Sequence, residues 1–470
     1  MPAATSRSGL TGRLPALLPR GSGHQFVFYG DSCSGIAGAA HEQTFASINA
    51  VVRRLEPRPE FVAFLGDEIA GLTADPGELK AQWRHWLERE MAWLDRQAIP
   101  VWNTTSNHTT YDEMSEAVFR EVLGHPRNGP RGQEGLSYWV RRGDLLLVFV
   151  HTAWTGLGGE GHVETTWLRD VLHRHADARH KLVLGHHPVH PINGFSGAYQ
   201  REIGPEHAGA FWDVLVKGGV FAYLCSHILA FDVQVHSGVL QVCTAGAGTA
   251  HRMPEGIEYL HCVQGALDAD GLRYQVLDAE GRVRERLSWP LHLPDVARWR
   301  VLPAGEGEAL LAGGPQPDRI VALRFVGRAA PAGDGSAQTL LSAFRPGLPA
   351  PLWIGLRGVE QRLTVIVGPE PRRSPHYWHG PAVPPAAPFD IRLIIHTGMG
   401  PGGVMCCIGS EERWSSLAAA SPWGAERLSW PERWSIGHAS RGPADQPFRG
   451  SALTAFALVS DGEAERSASS

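Results

Sequence analysis

Between residues 25 and 290, short apolar runs alternate with longer amphipathic segments, and this alternation constrains the fold more than any other feature of the sequence. The runs QFVFYGD and FVAFLGD are typical of buried strands that end at Asp31 and Asp67. The segment between them, from Ala40 to Pro57, has apolar residues at helical spacing. Strands that alternate with helices predict an α/β domain whose sheet is covered on both faces.

The pattern changes after about residue 290, where short alternating runs such as QRLTVIVG and FDIRLIIHTG lie between clusters of turn residues. This pattern predicts an all-β sandwich. A chain of 470 residues is also too long for a single core. We therefore predict a disordered arm over 1–24, an α/β domain over 25–290, an all-β domain over 295–462 and a disordered tail over 463–470.

Residue types that bind metals follow most of the predicted strands of the α/β domain. Each of them alone is more often a turn residue, a helix cap or a structural histidine. Repetition at the same structural position is harder to explain in that way, because loops at the carboxyl ends of strands converge on one crevice. The candidates are Asp31, Asp67, Asn107, His108, His186, His187 and His227.

Five segments around these residues carry a family resemblance. In chain order they are YGDSCSG, FLGDEIAG, TTSNHTT, VLGHHP and LCSHILAFD. Their order and spacing over about residues 25–285 resemble the motifs of the calcineurin-like metallophosphoesterases, which include the purple acid phosphatases. The resemblance implies a four-layer αββα domain that holds one or two divalent or trivalent ions of iron, manganese or zinc. Such ions bind a phosphate ester and activate a water molecule for its hydrolysis.

The resemblance also implies a role for each candidate residue. Asp67 would bridge two metal positions and take part in catalysis. Asn107, His186 and His227 would complete the second metal position. His108 would act in catalysis by donating a proton or a hydrogen bond to the leaving oxygen. The residues expected to contact the substrate are Asn107, His108 and His187.

The first metal position would contain Asp31, but it departs from the family pattern. Cys33 and Leu229 stand where the motifs have histidines, and Thr109 replaces an acidic residue that would orient His108. Leu229 cannot bind a metal. Cys33 either binds one as a thiolate, which favours zinc, or packs as a small buried hydrophobe. Asp232 and His236 are possible substitute ligands.

Three states of the site therefore remain open, with two metals, with one metal at the second position, or with none. We predict a metal-dependent hydrolase of phosphate esters that uses a metal-activated water. One alternative is a catalytically weakened, phosphoesterase-like protein that binds a ligand or a partner. The other is a repurposed metalloenzyme with non-phosphatase chemistry.

The second domain carries a looser resemblance. The segments WIGLRGVEQRLTVIVG, HYWHGP, FDIRLIIHTGMGPGG and WSIGHASRGPADQPFRG resemble concanavalin-like, laminin-G-type β-sandwiches, which implies a jelly roll. Aromatic faces suit carbohydrate C–H groups, so the tryptophans of this domain either stack on a carbohydrate or fill its core. These tryptophans are Trp353, Trp378, Trp414, Trp423, Trp430 and Trp434.

Charge and composition exclude other classes of function. A formal net charge of −5 gives no general attraction to nucleic acid or to acidic membranes. No apolar run is long enough for a membrane span or a signal-peptide core, and the six cysteines show no CxxC spacing. We expect a cytoplasmic protein that acts on a phosphorylated small molecule or ester, with no nucleic-acid or membrane partner.

Overall fold

The computed structural model describes residues 12–153, 163–192, 203–249, 259–290, 299–302, 305–308, 320–331, 333–344, 352–367, 376–396, 404–409, 414–419, 433–438 and 446–459 of the chain. Up to residue 290, α-helices flank two β-sheets. The helices are α1 (Ala40–Arg53), α2 (Pro76–His85), α3 (Glu113–Leu123), α4 (Thr165–Arg174) and α5 (Pro205–Lys217), and a π-helical turn (Trp86–Glu90) follows α2. The strands are β1 (Leu14–Pro15), β2 (Gly23–Tyr29), β3 (Leu55–Glu56), β4 (Phe61–Phe64), β5 (Val101–Asn103), β6 (Tyr138–Arg142), β7 (Leu145–Phe149), β8 (His180–Leu184), β9 (Ala222–Cys225), β10 (Phe231–His236), β11 (Val239–Thr244), β12 (His261–Asp268), β13 (Gly271–Asp278) and β14 (Val283–Trp289).

The two large sheets of this region each combine parallel and antiparallel strands. The first has the order β14-β13-β12-β2-β4-β5, with β2, β4 and β5 parallel to one another. The second has the order β10-β11-β9-β8-β7-β6, with β11, β9, β8 and β7 parallel. The loops after the parallel strands of each sheet therefore leave from the same edge of that sheet.

Apolar packing arranges these elements in layers. The two sheets face each other across a cluster that includes Phe28, Leu65, Leu147 and Leu224. Helices α1, α2 and α3 pack on the outer face of the first sheet. Helices α4 and α5 pack on the outer face of the second. The predicted alternation of strands and helices is thus present, with the helices outside and the sheets inside.

Local signals in the sequence explain where several helices begin and end. The side chain of Asp75 accepts a hydrogen bond from the backbone N–H of Gly77, and Pro76 occupies the first turn of α2. Asp112 caps the N-terminus of α3, and its carboxylate accepts a hydrogen bond from the backbone N–H of Ser115. The helix ends at Gly124, which adopts the left-handed conformation that suits glycine.

The prediction of a disordered arm over residues 1–24 is wrong for the described part, residues 12–24. Strand β1 pairs in parallel with β3, with Leu14 opposite Leu55. The backbone N–H of Leu17 donates to the side chain of Gln264 at 2.7 Å. These backbone contacts hold the segment against the first sheet, although its sequence has no periodic pattern. Residues 463–470, predicted as a disordered tail, lie outside the described part.

Residues 299–459 are rich in β-structure, as predicted, and form two further sheets. One has the order β15-β27-β17-β22-β23-β24 and the other has the order β16-β26-β18-β19-β20-β21-β25. All strand pairs in both sheets are antiparallel. Both contribute to one apolar cluster that includes Leu323, Leu341, Val365 and Leu393. The strands are β15 (Arg300–Leu302), β16 (Gly305–Glu308), β17 (Ile320–Arg328), β18 (Gln338–Phe344), β19 (Leu352–Arg357), β20 (Arg362–Val367), β21 (His376–Ala382), β22 (Pro388–His396), β23 (Val404–Ile408), β24 (Ser415–Ser416), β25 (Ala418–Ala419), β26 (Arg433–Ile436) and β27 (Ser451–Val459).

The β-rich region contacts the first region at strand β10, which lies at the edge of its sheet. The backbone N–H groups of Val235 and Ser237 donate to the hydroxyls of Ser416 and Ser415 at 2.9 and 3.1 Å. The N–H of Gly238 donates to the carbonyl of Trp414 at 3.0 Å. The side chain of Trp414 is buried in an apolar cluster that combines residues of the first two sheets with Ile394 and Met405 of the β-rich region. The two regions therefore share apolar packing as well as hydrogen bonds.

Four of the six tryptophans considered for carbohydrate binding are buried. Trp353, Trp378 and Trp434 are buried in the β-rich region, and Trp414 packs at the contact between the regions. The core interpretation therefore applies to these four, whereas Trp423 and Trp430 lie outside the described residues. Over the described ranges, no helix combines the length and the apolar character needed to cross a lipid bilayer.

Candidate metal centre

The loops after β2 and β4 bring the carboxylates of Asp31 and Asp67 to the candidate site. The structure ends these strands at Tyr29 and Phe64, a few residues before the aspartates that the sequence predicts as strand ends. The reason is that the backbone turns into the left-handed region, with φ of 63° at Asp31 and 54° at Asp67. Cys33 and His227 also have positive φ, at 42° and 70°. Non-glycine residues are uncommon in this conformation and persist where the surrounding contacts hold them.

His186 lies at the centre of the site. Its Nδ1 is 2.8 Å from the carbonyl oxygen of Leu65, an acceptor that keeps a proton on Nδ1 and leaves Nε2 as the nitrogen that faces the site. That Nε2 is 3.0 Å from Oδ1 of Asn107, 3.1 Å from Nδ1 of His227 and 3.5 Å from Oδ1 of Asp67. Glycine is required at position 66, because a Cβ there would lie 2.6 Å from Nδ1 of His186.

These four side chains suit a metal ion. Ligand atoms bound at about 2.0–2.2 Å to one ion lie roughly 3 Å from their neighbours around it. The separations measured from Nε2 of His186 are of this size. One carboxylate, one amide and two imidazoles are a donor set for iron, manganese or zinc. The residues predicted for the second metal position are Asp67, Asn107, His186 and His227.

The site holds opposite charges in a buried setting. Burial alone would raise the pKa of Asp67, but the imidazoles of His186 and His108 outweigh it and hold the pKa well below its usual value. Burial works against protonation of His186, yet the carboxylate of Asp67 raises its pKa to about 9. Burial, together with the charge of Asp67, raises the pKa of Asp31 to about 7. The neighbouring buried carboxylates of Asp31 and Asp67 repel each other, so a cation bound between them would be stabilised.

His108 lies at the more open side of Asp67. Its backbone N–H donates to Oδ1 of Asp67 at 3.2 Å, and its Nε2 is 3.9 Å from Oδ2. Its Nδ1 is 2.7 Å from the carbonyl oxygen of Ala70. The side chain retains 27% exposure, whereas that of His186 has none. Thr109 stands where the motif has an acidic residue that would orient His108. Its hydroxyl contacts the hydroxyl of Ser106, and the ring of His108 is oriented by the carbonyl of Ala70.

The first metal position has fewer donors. Sγ of Cys33 is 4.0 Å from Oδ2 of Asp67, and burial together with the charges of Asp67 and Asp31 raises the pKa of the thiol well above its usual value. Oδ2 of Asp31 accepts hydrogen bonds from the hydroxyl of Ser226 and from the backbone N–H of His227. Leu229 supplies no ligand atom. In the described part of the chain, two separate groups of three lie near this position, Cys33 with Asp67 and His108, and Asp31 with Asp67 and His186.

The possible substitutes, Asp232 and His236, are in none of the clusters of metal-binding side chains found among the described residues. Asp232 accepts a hydrogen bond from the side-chain amide of Gln234 at 2.7 Å. The ring of His236 stacks on that of His190, with 3.6 Å between their centroids. The donor set of the first position therefore does not fit a metal as well as that of the second.

His187, which the sequence predicts as a substrate contact, lies in the interior of the site. Its side chain is fully buried, beside the rings of His186 and His227. Its Nδ1 is 2.9 Å from the hydroxyl of Thr152. The imidazole therefore belongs to the interior of the site and has no exposed surface.

Several groups that position the site were not found from the sequence. The carbonyl oxygens of Leu65 and Ala70 fix two histidines, and backbone atoms have no sequence signature. Glu68 is fully buried; its carboxyl accepts from Asn103 at 2.7 Å, and its backbone carbonyl accepts from Ser32 at the same distance. Burial raises the pKa of Glu68 to about 8. Its position directly after Asp67 was the only feature of the sequence that could have placed Glu68 near the site.

Comparison with known proteins gives distant structural likenesses. No protein-family model matches the chain, and no curated protein matches it. A purple acid phosphatase from yellow lupin (Lupinus luteus) seeds is 15% identical with a TM-score of 0.42, over 58% of this chain and 55% of the lupin chain. The present chain thus spans about half of the lupin protein's length.

Two further solved structures resemble the chain at similar levels. A dimetal phosphatase from Danio rerio is 17% identical with a TM-score of 0.39, over 55% of this chain and 96% of its own. A putative 5'-nucleotidase from Staphylococcus aureus is 12% identical with a TM-score of 0.36, over 88% of this chain and 90% of its own. At these values, none of the three assigns an activity or a residue role to this chain.

Proposed function

We propose that this chain is a metal-dependent hydrolase of phosphate esters. The observation that carries the proposal is the convergence of oxygen and nitrogen donors on Nε2 of His186, at distances suited to one shared ion. The motif order supports the same proposal, with a calcineurin-like, four-layer αββα domain followed by a laminin-G-like jelly roll. The proposed ligands at this position are Asp67, Asn107, His186 and His227.

The donor chemistry favours iron, manganese or zinc over magnesium or calcium, because two of the four ligands are imidazoles. When bound, such an ion polarises a phosphoryl oxygen and lowers the pKa of water. The protein holds Asp67 ionised through the neighbouring His186 and His108, so a carboxylate is ready to bind at neutral pH. The carbonyl of Leu65 keeps Nε2 of His186 directed into the site.

His108 is the proposed acid that assists the leaving oxygen. Nδ1–H of His108 donates a hydrogen bond to the carbonyl oxygen of Ala70, so Nε2, which lies 3.9 Å from Oδ2 of Asp67, is the ring nitrogen left to donate a proton to the leaving oxygen. Asn107 is the proposed amide contact to the phosphoryl group as well as a ligand. The substrate class that fits a centre of this kind is a phosphorylated small molecule or ester.

The altered first position favours one rival function. Leu229 supplies no donor, and the thiol of Cys33 is held in its protonated form by burial. A protein with a weakened site would bind a phosphorylated ligand or a partner without turning it over. Metal content separates the two functions, since the enzyme requires an ion and the rival does not.

The test measures metal and turnover together. The purified full chain is analysed for bound metal by mass spectrometry, and its hydrolysis of 4-nitrophenyl phosphate and bis(4-nitrophenyl) phosphate is followed with iron, manganese and zinc. Near-stoichiometric metal with turnover is expected, and Asp67→Ala should remove both. The matched control is Asp213→Ala, because Asp213 is an exposed carboxylate on α5. Full metal and turnover in Asp67→Ala would contradict the site, and a metal-free, inert wild-type chain would favour the binding protein.

A further inference from the structure

Three imidazoles, and not two, pack together beside Asp67. The ring centroids of His186 and His187 are 5.0 Å apart, those of His187 and His227 are 4.5 Å apart, and those of His186 and His227 are 4.9 Å apart. One ring nitrogen from each histidine lies within 4.8 Å of the other two. Two nitrogens that bind the same ion at about 2.1 Å lie at most roughly 4.2 Å apart, so the three rings are near enough to share an ion after small adjustments.

The ring of His187 has one nitrogen engaged and one without a partner. Nδ1 is 2.9 Å from the hydroxyl of Thr152, while Nε2 is buried and has no hydrogen-bond partner in the described part of the chain. A buried polar atom without a partner is costly, and such atoms in folded proteins call for a specific explanation. If Nδ1–H donates to the Thr152 hydroxyl, Nε2 retains the lone pair that a metal ligand needs.

The backbone around His187 supports a fixed position for the ring. The hydroxyl of Thr152 also accepts from the backbone N–H of His186 at 3.4 Å and from that of His187 at 3.3 Å. The hydroxyl of Tyr223 donates to the carbonyl of His187 at 2.6 Å. Thr152 and Tyr223 therefore fix the backbone and the ring of His187. Metal-binding histidines are commonly held in this way by hydrogen bonds from residues that do not bind the metal themselves.

We propose that His187 is a third imidazole ligand at the second metal position, together with His186 and His227. This inference rests on the proposed function, because it assumes that an ion binds there. It changes the coordination from two imidazoles to three and replaces the substrate contact predicted for His187. A site with three imidazoles favours zinc, cobalt or iron still more strongly over magnesium and calcium.

Cobalt binding to the metal-free full chain tests the proposal. Co²⁺ is titrated into wild-type, His187→Ala and His187→Gln proteins, and its visible absorption and its affinity are recorded without any substrate. We expect the affinity of both variants to fall at least about 10-fold and the absorption bands to shift, since a ligand is lost. The matched control is His125→Phe, which removes a buried histidine that is in none of the metal-binding clusters among the described residues.

A second measurement avoids dependence on variant folding. X-ray absorption of the zinc-loaded wild-type chain counts the imidazoles bound to the ion, and three are expected. A count of two, or affinities and cobalt spectra of folded His187 variants within twofold of wild type, would overturn the role of His187 and leave the hydrolase proposal intact. Absence of any Co²⁺ or Zn²⁺ binding by the wild type would instead remove the metal site itself, and both proposals with it.

Discussion

The carbonyl oxygen of Ala70 lies 2.7 Å from Nδ1 of His108. This contact performs the orienting role for which the sequence has no acidic residue at position 109. A backbone carbonyl fixes the ring orientation and the tautomer as a carboxylate does, but it adds no full negative charge. On its other side, Nε2 of the same ring lies 3.9 Å from Oδ2 of Asp67.

Replacement of His108 should separate catalysis from metal binding. We expect His108→Ala to lower kcat by about 10²- to 10⁴-fold on a substrate with a poor leaving group, because the proton donor is lost. The loss should be smaller for a 4-nitrophenyl ester, whose leaving group needs little protonation. Bound metal should remain at the wild-type level by mass spectrometry. Equal losses of metal and kcat would mean that His108 acts as a ligand.

The first metal position should be restorable by two substitutions. Cys33→His combined with Leu229→His supplies the two imidazoles that the motif lacks beside Asp31 and Asp67. We expect bound metal to rise from about one to about two ions per chain, since two carboxylates are already present. Mass spectrometry of the purified proteins measures the ratio, with Cys33→Ala as the control that should not change it. A wild-type chain that already holds two ions would contradict this expectation.

His125 should make the stability of the fold depend on pH. Its side chain is buried, stacks on Tyr138 with 4.6 Å between centroids, and burial lowers its pKa to about 3. The folded state therefore binds fewer protons than the unfolded state between about pH 6.5 and pH 3. The stability contributed by neutral His125 is complete above that window and is lost as the pH falls through it.

Comparison with His125→Phe isolates this effect from the other titrating groups. Between pH 7 and pH 5, the wild type should lose about 2 kcal/mol more of its free energy of unfolding than the variant does. Urea unfolding at each pH, followed by tryptophan fluorescence, measures the difference. Parallel pH profiles for the two proteins would show that His125 does not titrate in this range.

The sequence was most informative where side chains follow strands. Asp31, Asp67 and His186 could be grouped because each follows a predicted strand, and the structure brings their side chains together from the two sheets. The strand ends themselves were misplaced, because a left-handed turn at an aspartate leaves no periodic signal. The roles of these residues remain predictions.

Other features depend on contacts distant in sequence and could not be predicted. Thr152 acts on a histidine 35 positions away through a single hydroxyl. The pairing of Leu14 with Leu55 involves a two-residue strand, which is too short to show alternation. The β-rich character of residues 299–459 followed from local runs, whereas the contact of Trp414 with Gly238 did not, because register between distant segments has no local pattern.

The contact of Ser415 and Ser416 with β10 has a consequence for the first region on its own. Without residues beyond 290, the N–H groups of Val235 and Ser237 would lose their partners, and apolar surface beneath Trp414 would meet water. An uncovered edge strand beside apolar surface is a template for intermolecular pairing. A chain shortened to residues 1–290 should therefore self-associate in light scattering, whereas the full chain, with this edge covered, should not.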